Sequence, residues 1–378
     1  MRMLSAFIGS LLIMVVLWES FETIIFPRRV TRRFRLTRFF YRNTWRLYLA
    51  AVFHAVPTRR RETLLSFYGP CSLLLLLTVW AGGLIVGFAL LHWADGSALR
   101  SQDMPGFFTD LYMSGTNFFT LGLGDVTPRS PMAKLLTVIE GGMGLGFLAL
   151  IISYLPVLNM SFQRREISIS LLDARAGSPP SAVEMLRRHS SGRGLEALGE
   201  LFHDWELWSA ELLESHLSYP VLAYFRSQHD NQSWLGALTA ILDATALVMV
   251  GVEGAPARQA ELTFAMARHA VVDLCIVFKR SPRPPERDRL NFEALSDLRA
   301  SMKNFGIHLQ EGHDAEQHLK DLRRLYEPYA HALSDYFRMP FPPWVPAATQ
   351  ADNWQISAWE RSSTVKKTMK NIEEDRHF

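Results

Sequence analysis

Glycine occupies alternate positions in the stretch Thr120-Leu121-Gly122-Leu123-Gly124-Asp125. Successive backbone carbonyls can point the same way only if the backbone alternates between right- and left-handed regions, and glycine enters the left-handed region without steric cost. We therefore expect residues 120–123 to direct a ladder of carbonyl oxygens at one axis. Because rings of such carbonyls can replace the hydration shell of a potassium ion, the stretch predicts a potassium site.

The residues before this stretch predict a short helix. Pro105 and Gly106 suit a helix start, and the apolar residues that follow recur at helical spacing. They are Phe107, Phe108, Leu111, Tyr112, Phe118 and Phe119. We expect this helix to dip into the membrane and to end near Phe119, where its negative end favours a cation beside the Thr120 hydroxyl. Unpaired carbonyls survive at membrane depth only where they line a cavity, as a re-entrant loop allows.

Three apolar stretches are long enough to cross a bilayer, which takes about 20 residues. Cys71–Trp93 is uncharged, and Leu135–Met160 is interrupted only by Glu140. The third, Met3–Phe26, carries two acidic residues near its end and no small-x-small cleavage site. We therefore expect an uncleaved membrane span there rather than a signal peptide.

From about Gly69 to Asn159, the chain resembles the pore domain of the potassium-channel family, of the prokaryotic type with two membrane helices and one pore loop. The resemblance rests on the order of outer helix, pore helix, filter and inner helix. It implies that residues 120–125 are the selectivity filter, that potassium ions bind at residues 120–123, and that no other cofactor is needed. Since one loop supplies a quarter of a filter, four chains are expected around the axis.

Two residues depart from the filter of that family, which usually reads Thr-Val-Gly-Tyr-Gly-Asp. Leu121 replaces valine, a mild change because the backbone does the coordinating. Leu123 replaces tyrosine, so the hydroxyl that in the family ties the filter to the surrounding pore helix is missing. Filters of the second loop in two-pore-domain potassium channels look similar in this respect. Potassium selectivity is therefore the expectation, and a weakly selective cation channel is the alternative.

The inner helix predicted at Leu135–Met160 is expected to line the cavity below the filter. Four glycines cluster in it, and both close helix packing and bending are open interpretations. They are Gly141, Gly142, Gly144 and Gly146, with Gly144 about where the family places its gating hinge. Pro156 should kink the helix near its cytoplasmic mouth. Glu140 is costly at membrane depth; it faces either the cavity, concentrating cations, or the pore helix, bracing the filter.

Eleven arginines and no acidic residue lie between Pro27 and Arg61, although the whole chain is only +3. Positive loops stay in the cytoplasm, so the chain is expected to cross the inner or plasma membrane three times and leave residues 161–378 in the cytoplasm. The Arg28–Arg61 segment should lie on anionic lipid headgroups rather than nucleic acid. We prefer a surface helix to a voltage sensor, with these aromatic residues at headgroup level: Phe34, Phe39, Phe40, Tyr41 and Trp45.

The sequence divides into five predicted parts. They are an N-terminal span at 1–27, a basic segment at 28–66, the pore domain at 67–160, a helical regulatory domain at 161–340 and an extended tail at 341–378. Further helices are expected at about 181–189, 195–212, 233–252, 257–279, 288–310 and 313–337. No strand-helix unit opens with Gly-x-Gly-x-x-Gly, so no nucleotide-binding regulator is expected.

Trp234 to Val252 is apolar except for Asp243 and long enough to be a fourth span. We expect a buried core helix instead, because its neighbour in sequence carries charged residues. They are Arg268, His269 and Asp273. A buried Asp243 needs partners such as Arg268 or His269. These residues form either a structural ion-pair network or a pocket for an unknown cytoplasmic ligand or metal. Four further candidates for the pocket are His203, Glu211, Glu214 and His216.

The composition fits this division, since the mean hydropathy is near zero, as expected of a membrane part joined to a soluble part. Two cysteines cannot form a disulfide scaffold and show no zinc-binding spacing. The sequence therefore predicts an all-α membrane protein with a pore-loop channel fold and a mainly α-helical cytoplasmic domain. It predicts a homotetrameric channel and no enzyme. A membrane receptor for a metal or ligand, with the pore as its output, is the more distant alternative.

Overall fold

The computed structural model describes residues 2–26, 35–97, 99–100, 106–190, 194–228, 231–285 and 288–345. These ranges are mostly α-helical, which confirms the predicted fold class. Two short antiparallel strands, β1 (Leu99–Arg100) and β2 (Thr127–Pro128), are the only paired strands among them. Residues 28–34 of the basic segment, including Phe34, lie outside the described residues, as do Pro105 at the expected helix start and residues 346–378 of the expected tail.

The helices form two compact units. The first contains Met1–Ser161 and Leu217–Phe225, and the second contains Phe162–His216 and the chain from Arg226 onward. The division at Ser161 lies beside the predicted boundary between residues 160 and 161. The short segment Leu217–Phe225 differs from the prediction, because it belongs to the first unit although the sequence placed it in the helical domain.

Two helices of the first unit are longer than the apolar stretches that predicted them. These two are α3 (Thr58–Ala94) and α5 (Pro131–Ala176), which continues into the second unit. The other α-helices in the described part of this unit are α1 (Arg2–Ser20, followed by a π-helical turn at Phe21–Ile25), α2 (Leu36–Ala55) and α4 (Phe107–Phe118). Hydropathy predicts only the apolar part of α3 and of α5, which is the part that can lie in a lipid bilayer. Arginine and glutamate are also good helix formers, so both helices continue into polar sequence.

Glycines let α1 and α3 approach closely. A β-carbon added to Gly87 would lie 2.6 Å from Cγ1 of Ile13, and one added to Gly9 would lie 2.7 Å from the carbonyl oxygen of Gly87. Gly83 faces Val16 in the same way, at 2.9 Å. Small residues of this kind are typical of helix contacts inside a membrane, so α1 is a packed neighbour of the outer helix.

Helix α2 begins on a carboxylate of α1. The backbone N–H groups of Leu36 and Thr37 donate to the Glu19 side chain at 3.0 and 3.1 Å. A carboxylate at this position accepts hydrogen bonds from the free N–H groups of the first turn. Its negative charge is also attracted to the positive N-terminal end of the helix. The expected place of Tyr41 and Trp45 at headgroup level is wrong, since both side chains are buried. The helical period puts them on the face that packs on α3.

The second unit is a bundle of helices whose positions follow the sequence predictions closely. Its helices after α5 are α6 (Ala182–Arg188), α7 (Gly194–Ser218), α8 (Trp234–Gly251), α9 (Ala257–Val277), α10 (Phe292–Asn304), α11 (His313–Arg324) and α12 (Glu327–Phe337). The single helix expected at 313–337 is two helices. Pro328 explains the break, because proline is tolerated in the first turn of a helix but not in its interior.

Four helices in the described ranges are long and apolar enough to cross a membrane: α1 with its π-helical turn, α3, α5 and α8. Helix α8 differs from the other three, because 89% of its apolar window is buried inside the protein, against 17 to 44% for the others. A helix that is apolar all round and enclosed on all sides is a core helix. This burial favours the core-helix prediction over a fourth membrane span.

Candidate ion-conduction site

The backbone after α4 alternates in handedness. Thr120, Gly122 and Gly124 have φ angles of 55°, 58° and 76°, and no positive φ occurs at Leu121 or Leu123. The two glycines adopt the left-handed region as the sequence predicted. Thr120 does so as well, which is uncommon for a β-branched residue.

Two backbone hydrogen bonds attach the filter stretch to the pore helix. The Thr120 N–H donates to the carbonyl of Asn117 at 2.9 Å, and the Leu121 N–H donates to that of Thr116 at 2.8 Å. Beyond this point the side chains of Leu121 and Leu123 are 59% and 61% exposed. The stretch therefore lies on an open surface of the single chain and is not a turn packed between two helices.

A side chain of the pore helix holds the outer end of the stretch. The Tyr112 hydroxyl donates to Oδ2 of Asp125 at 2.8 Å, and the Val126 N–H donates to Oδ1 at 3.0 Å. The hydroxyl that is missing at Leu123 is evident from the sequence, whereas this hydrogen bond from Tyr112 is not. The sequence shows a tyrosine on the pore helix. Whether its hydroxyl can contact Asp125 depends on where that helix ends, which only the structure shows.

The inner helix α5 supports the end of the pore helix at Gly144. A β-carbon at Gly144 would overlap the carbonyl oxygen of Phe118 and lie 2.8 Å from its carbonyl carbon. Nearby, the rings of Phe118 and Phe147 pack with centroids 5.8 Å apart. Gly142 and Gly146 have no heavy atom within 4 Å of such a β-carbon. Of the predicted inner-helix residues, Gly144 therefore has a packing role in this chain.

Two other inner-helix residues take contrasting positions. Pro156 is exposed and lies inside α5, which continues as one helix to Ala176. Glu140 is fully buried and accepts a hydrogen bond from the Ser114 hydroxyl of the pore helix. Of the two orientations left open by the sequence, the carboxylate takes the one that braces the pore helix.

The outer helix adds a residue that the sequence analysis missed. His92 of α3 is 1% exposed, and its Nε2 lies 3.8 Å from Oε2 of Glu140. Three helices therefore meet at this carboxylate, with Ser114 supplied by α4. The signal in the sequence was a single histidine in an otherwise uncharged span, but only the folded chain shows that it faces Glu140.

The predicted pocket in the second unit does not form. Asp243 is fully buried, but its ion pair is with Arg289, at 2.7 Å, and its other hydrogen bond comes from the Tyr326 hydroxyl. The predicted partners Arg268 and His269 are wrong. Arg268 donates to the carbonyl of Leu325 at 3.4 Å, and His269 pairs with Asp273, one turn along α9, at 3.5 Å.

The residues around Asp243 form a buried ion-pair network. Arg289 also contacts Glu327 at 3.0 Å, and Glu327 in turn pairs with Arg323 at 3.1 Å. Burial opposes the charge of Arg289, but Asp243 outweighs it and raises the pKa of Arg289 above its usual value. Within the described ranges, no group of three or more His, Cys, Asp or Glu side chains could hold a metal ion. The contacts favour the structural interpretation of these charges.

Replacing Arg289 with methionine is expected to destabilise the second unit by about 3–5 kcal/mol, because Asp243 becomes a buried charge without its partner. The measurement is thermal unfolding of the purified full-length protein in detergent. Arg258→Met is the matched control, since the exposed pair of Arg258 and Glu261 at 2.8 Å should contribute only about 0–1 kcal/mol. Equal stability of the two variants would contradict the network's structural role.

Comparisons with known proteins agree with this geometry. Residues 74–158 match a family model described as "Ion channel". An uncharacterized membrane protein of Bacillus subtilis (strain 168), YdjJ, is 26% identical over 192 residues, which cover 50% of this chain and 55% of that protein. The chain thus spans about half the length of this curated relative. No solved structure is significantly similar to the chain.

The matched residues contain most of α3, all of α4, the open stretch and the upper part of α5. They therefore include the outer helix, pore helix, filter stretch and inner helix in the order that the sequence predicts. The relative is described as a membrane protein, and three apolar helices of the first unit are long enough to span a bilayer. This chain is a membrane protein that contains, at residues 74–158, a region similar to the ion channel family.

Proposed function

We propose that this chain is one subunit of a homotetrameric potassium channel that conducts ions down their gradient and has no enzymatic activity. The observation that carries the proposal is the alternating φ of residues 120–124 on an open face of the chain. This alternation lets one chain present a column of carbonyl oxygens, and four columns around an axis complete a ring for a dehydrated cation.

Selectivity for potassium depends on how firmly the filter keeps its spacing. Leu123 contributes no hydroxyl, but the tie from Tyr112 to Asp125 supplies a hydrogen bond at the outer end. The brace from Glu140 to Ser114 adds a second support at the back of the pore helix. These contacts favour a potassium-selective filter over a weakly selective one.

The reversal potential of the purified full-length protein in planar bilayers tests this function. With potassium on one side and sodium on the other, a potassium-selective channel reverses near the potassium equilibrium potential. A reversal near zero under the same gradients would identify the weakly selective cation channel instead. A protein that carries no cation current in any of these solutions would refute the channel proposal.

Charge favours an orientation in which the Arg28–Arg61 segment and residues 161–378 are cytoplasmic, in the inner or plasma membrane. Helix α2 buries one face on α3 and exposes Arg42 and Arg46, together with the apolar side chains of Phe39 and Leu47. A face that mixes arginines with apolar side chains suits the boundary of an anionic bilayer. We therefore propose anionic lipids as partners of this helix.

The helical domain is proposed to modulate opening through Leu217–Phe225, which we name the aromatic strap. The strap belongs to the first unit, although the chain on both sides of it belongs to the second. The ring of Tyr219 lies 5.5 Å from that of Tyr154 on the inner helix. Tyr224 lies among aromatic rings of α2 and α3: Tyr41 at 5.6 Å, Trp45 at 5.4 Å and Tyr68 at 5.2 Å.

Tyr224→Ala is expected to release the strap, because a fully packed ring is removed from the cluster at a cost of about 3–5 kcal/mol. Open probability should change by about tenfold or more, while the reversal potential should stay as in the native channel. Single-channel recording measures both quantities. Phe292→Ala is the control, since that ring is 78% exposed. Native open probability in Tyr224→Ala would contradict a coupling role for the strap.

A further inference from the structure

A group of polar side chains is enclosed behind the pore helix. Its members, which we name the buried polar cluster, are His92, Asp110, Ser114, Asn117 and Glu140. Among the described residues, five atoms of the cluster are buried without a hydrogen-bond partner: Nδ1 and Nε2 of His92, Oδ1 of Asp110, Nδ2 of Asn117 and Oε2 of Glu140. A buried polar atom without a partner destabilises the folded protein, so a cluster with five of them points to a function.

The geometry between His92 and Glu140 suits a shared proton. The 3.8 Å separation of Nε2 and Oε2 is too long for a hydrogen bond but short enough for an ion pair. With one proton, the pair has no net charge. When the proton is lost, a negative carboxylate remains enclosed with no compensating charge. A buried, unpaired charge of this kind is unfavourable in a medium of low polarity.

Asp110 is the other titratable member of the cluster and comes from the pore helix. It is fully buried, and its Oδ2 accepts a hydrogen bond from the Ser97 hydroxyl at 2.7 Å. Its carboxylate adds a second acidic group to the cluster. A second carboxylate makes the loss of the shared proton still less favourable.

A short path leads from the cluster to the filter. Glu140 holds the Ser114 hydroxyl, and Thr116, two residues later, accepts the backbone hydrogen bond from Leu121. A shift of Ser114 therefore moves the carbonyl that positions the first part of the filter. Protonation behind the pore helix can reach the conduction path through two hydrogen bonds and three residues of helix.

We propose that His92 is a positioning residue that acts through Glu140, and that the buried polar cluster is a proton-binding site that controls conduction. This inference rests on the proposed channel function. Conduction is supported while the His92–Glu140 pair keeps its proton. It weakens as the pH rises and the proton leaves, because the enclosed carboxylate then lacks a compensating charge and shifts, and the Ser114 hydroxyl bonded to it shifts as well.

Potassium current through the full-length protein in planar bilayers, measured from about pH 5 to 8, tests the proposal. The native current should fall by about tenfold as the pH rises, and the current of His92→Gln should stay constant over the same range. His318→Gln is the matched control, because His318 is exposed on α11, and it should keep the native profile. A native pH profile in His92→Gln would overturn the inference.

A second variant and a second measurement separate a folding defect from a wrong inference. Glu140→Gln cannot ionise but can still bond to Ser114, so its current should also lose the pH dependence. The thermal unfolding midpoint of the purified protein should vary with pH in the native chain and less in both variants. Equal variation in all three would overturn the proton site. If the native chain carries no current, the channel proposal fails, but the unfolding data still decide whether the proton site exists.

Discussion

Gly122→Ala is expected to lower the potassium current by tenfold or more and to shift the reversal potential toward zero in opposed potassium and sodium gradients. Gly122 has a φ of 58°, and a left-handed conformation costs a residue with a β-carbon about 1–2 kcal/mol. No atom of the same chain lies within 4 Å of the added carbon. The loss should therefore come from backbone strain, repeated in each subunit of the proposed tetramer.

Gly115→Ala is the control for this experiment. Gly115 lies within α4, has no positive φ and has no heavy atom within 4 Å of an added β-carbon. Alanine also favours a helix over glycine by about 1 kcal/mol, so this variant should conduct like the native chain. Native current and native selectivity in Gly122→Ala would refute the assignment of residues 120–125 as the filter.

The filter and its two flanking helices could be predicted from sequence because their determinants are local. Alternating glycines at Gly122 and Gly124 specify a backbone conformation without reference to the rest of the chain, and the structure shows positive φ at both. The end of the pore helix, predicted near Phe119, lies at Phe118 for a similar reason. Apolar periodicity and a following glycine-rich stretch mark such a boundary without any tertiary contact.

Contacts between distant segments could not be predicted in the same way. The sequence predicts that Asp243 pairs with Arg268 or His269, because these residues lie on the neighbouring helix. Its partner, Arg289, comes instead from the residues just before α10, 46 positions away in sequence. A buried carboxylate needs a cationic partner, and this requirement can be predicted from the sequence. Which of several cationic side chains is the partner cannot be predicted, because only the fold brings one of them close.

The burial of Tyr41 and Trp45 in α2 could not be predicted for a related reason. A helix rich in arginine and aromatic residues resembles a surface helix, and Phe39 is indeed 58% exposed. Tyr41 and Trp45 lie on the opposite side, where α3 and the aromatic strap cover them. The sequence indicates an amphipathic helix, but it does not show that a segment about 180 residues later along the chain completes the cover.

Gly144→Ala is expected to destabilise the pore domain by about 1–3 kcal/mol, the usual cost of overfilling a packed contact, and to lower the current by tenfold or more. The added carbon would overlap the carbonyl oxygen of Phe118, and backbone cannot move aside as a flexible side chain can. The pore helix would have to separate from α5. The carbonyl groups that accept the hydrogen bonds from the Thr120 and Leu121 N–H groups belong to that part of the pore helix, so the filter would be displaced with it. Thermal unfolding and potassium current of the purified full-length protein measure the two effects.

Gly146→Ala on the same helix separates packing from bending. A bending role depends on the flexibility of glycine, so alanine at either position should impair opening to a similar degree and leave stability unchanged. A packing role depends on space, and Gly146 has no heavy atom within 4 Å of an added β-carbon. We therefore expect Gly146→Ala to keep native stability and current while Gly144→Ala loses both. Equal loss of current in both variants, with native stability, would show that the glycines of the inner helix act as a hinge and not as a contact with the pore helix.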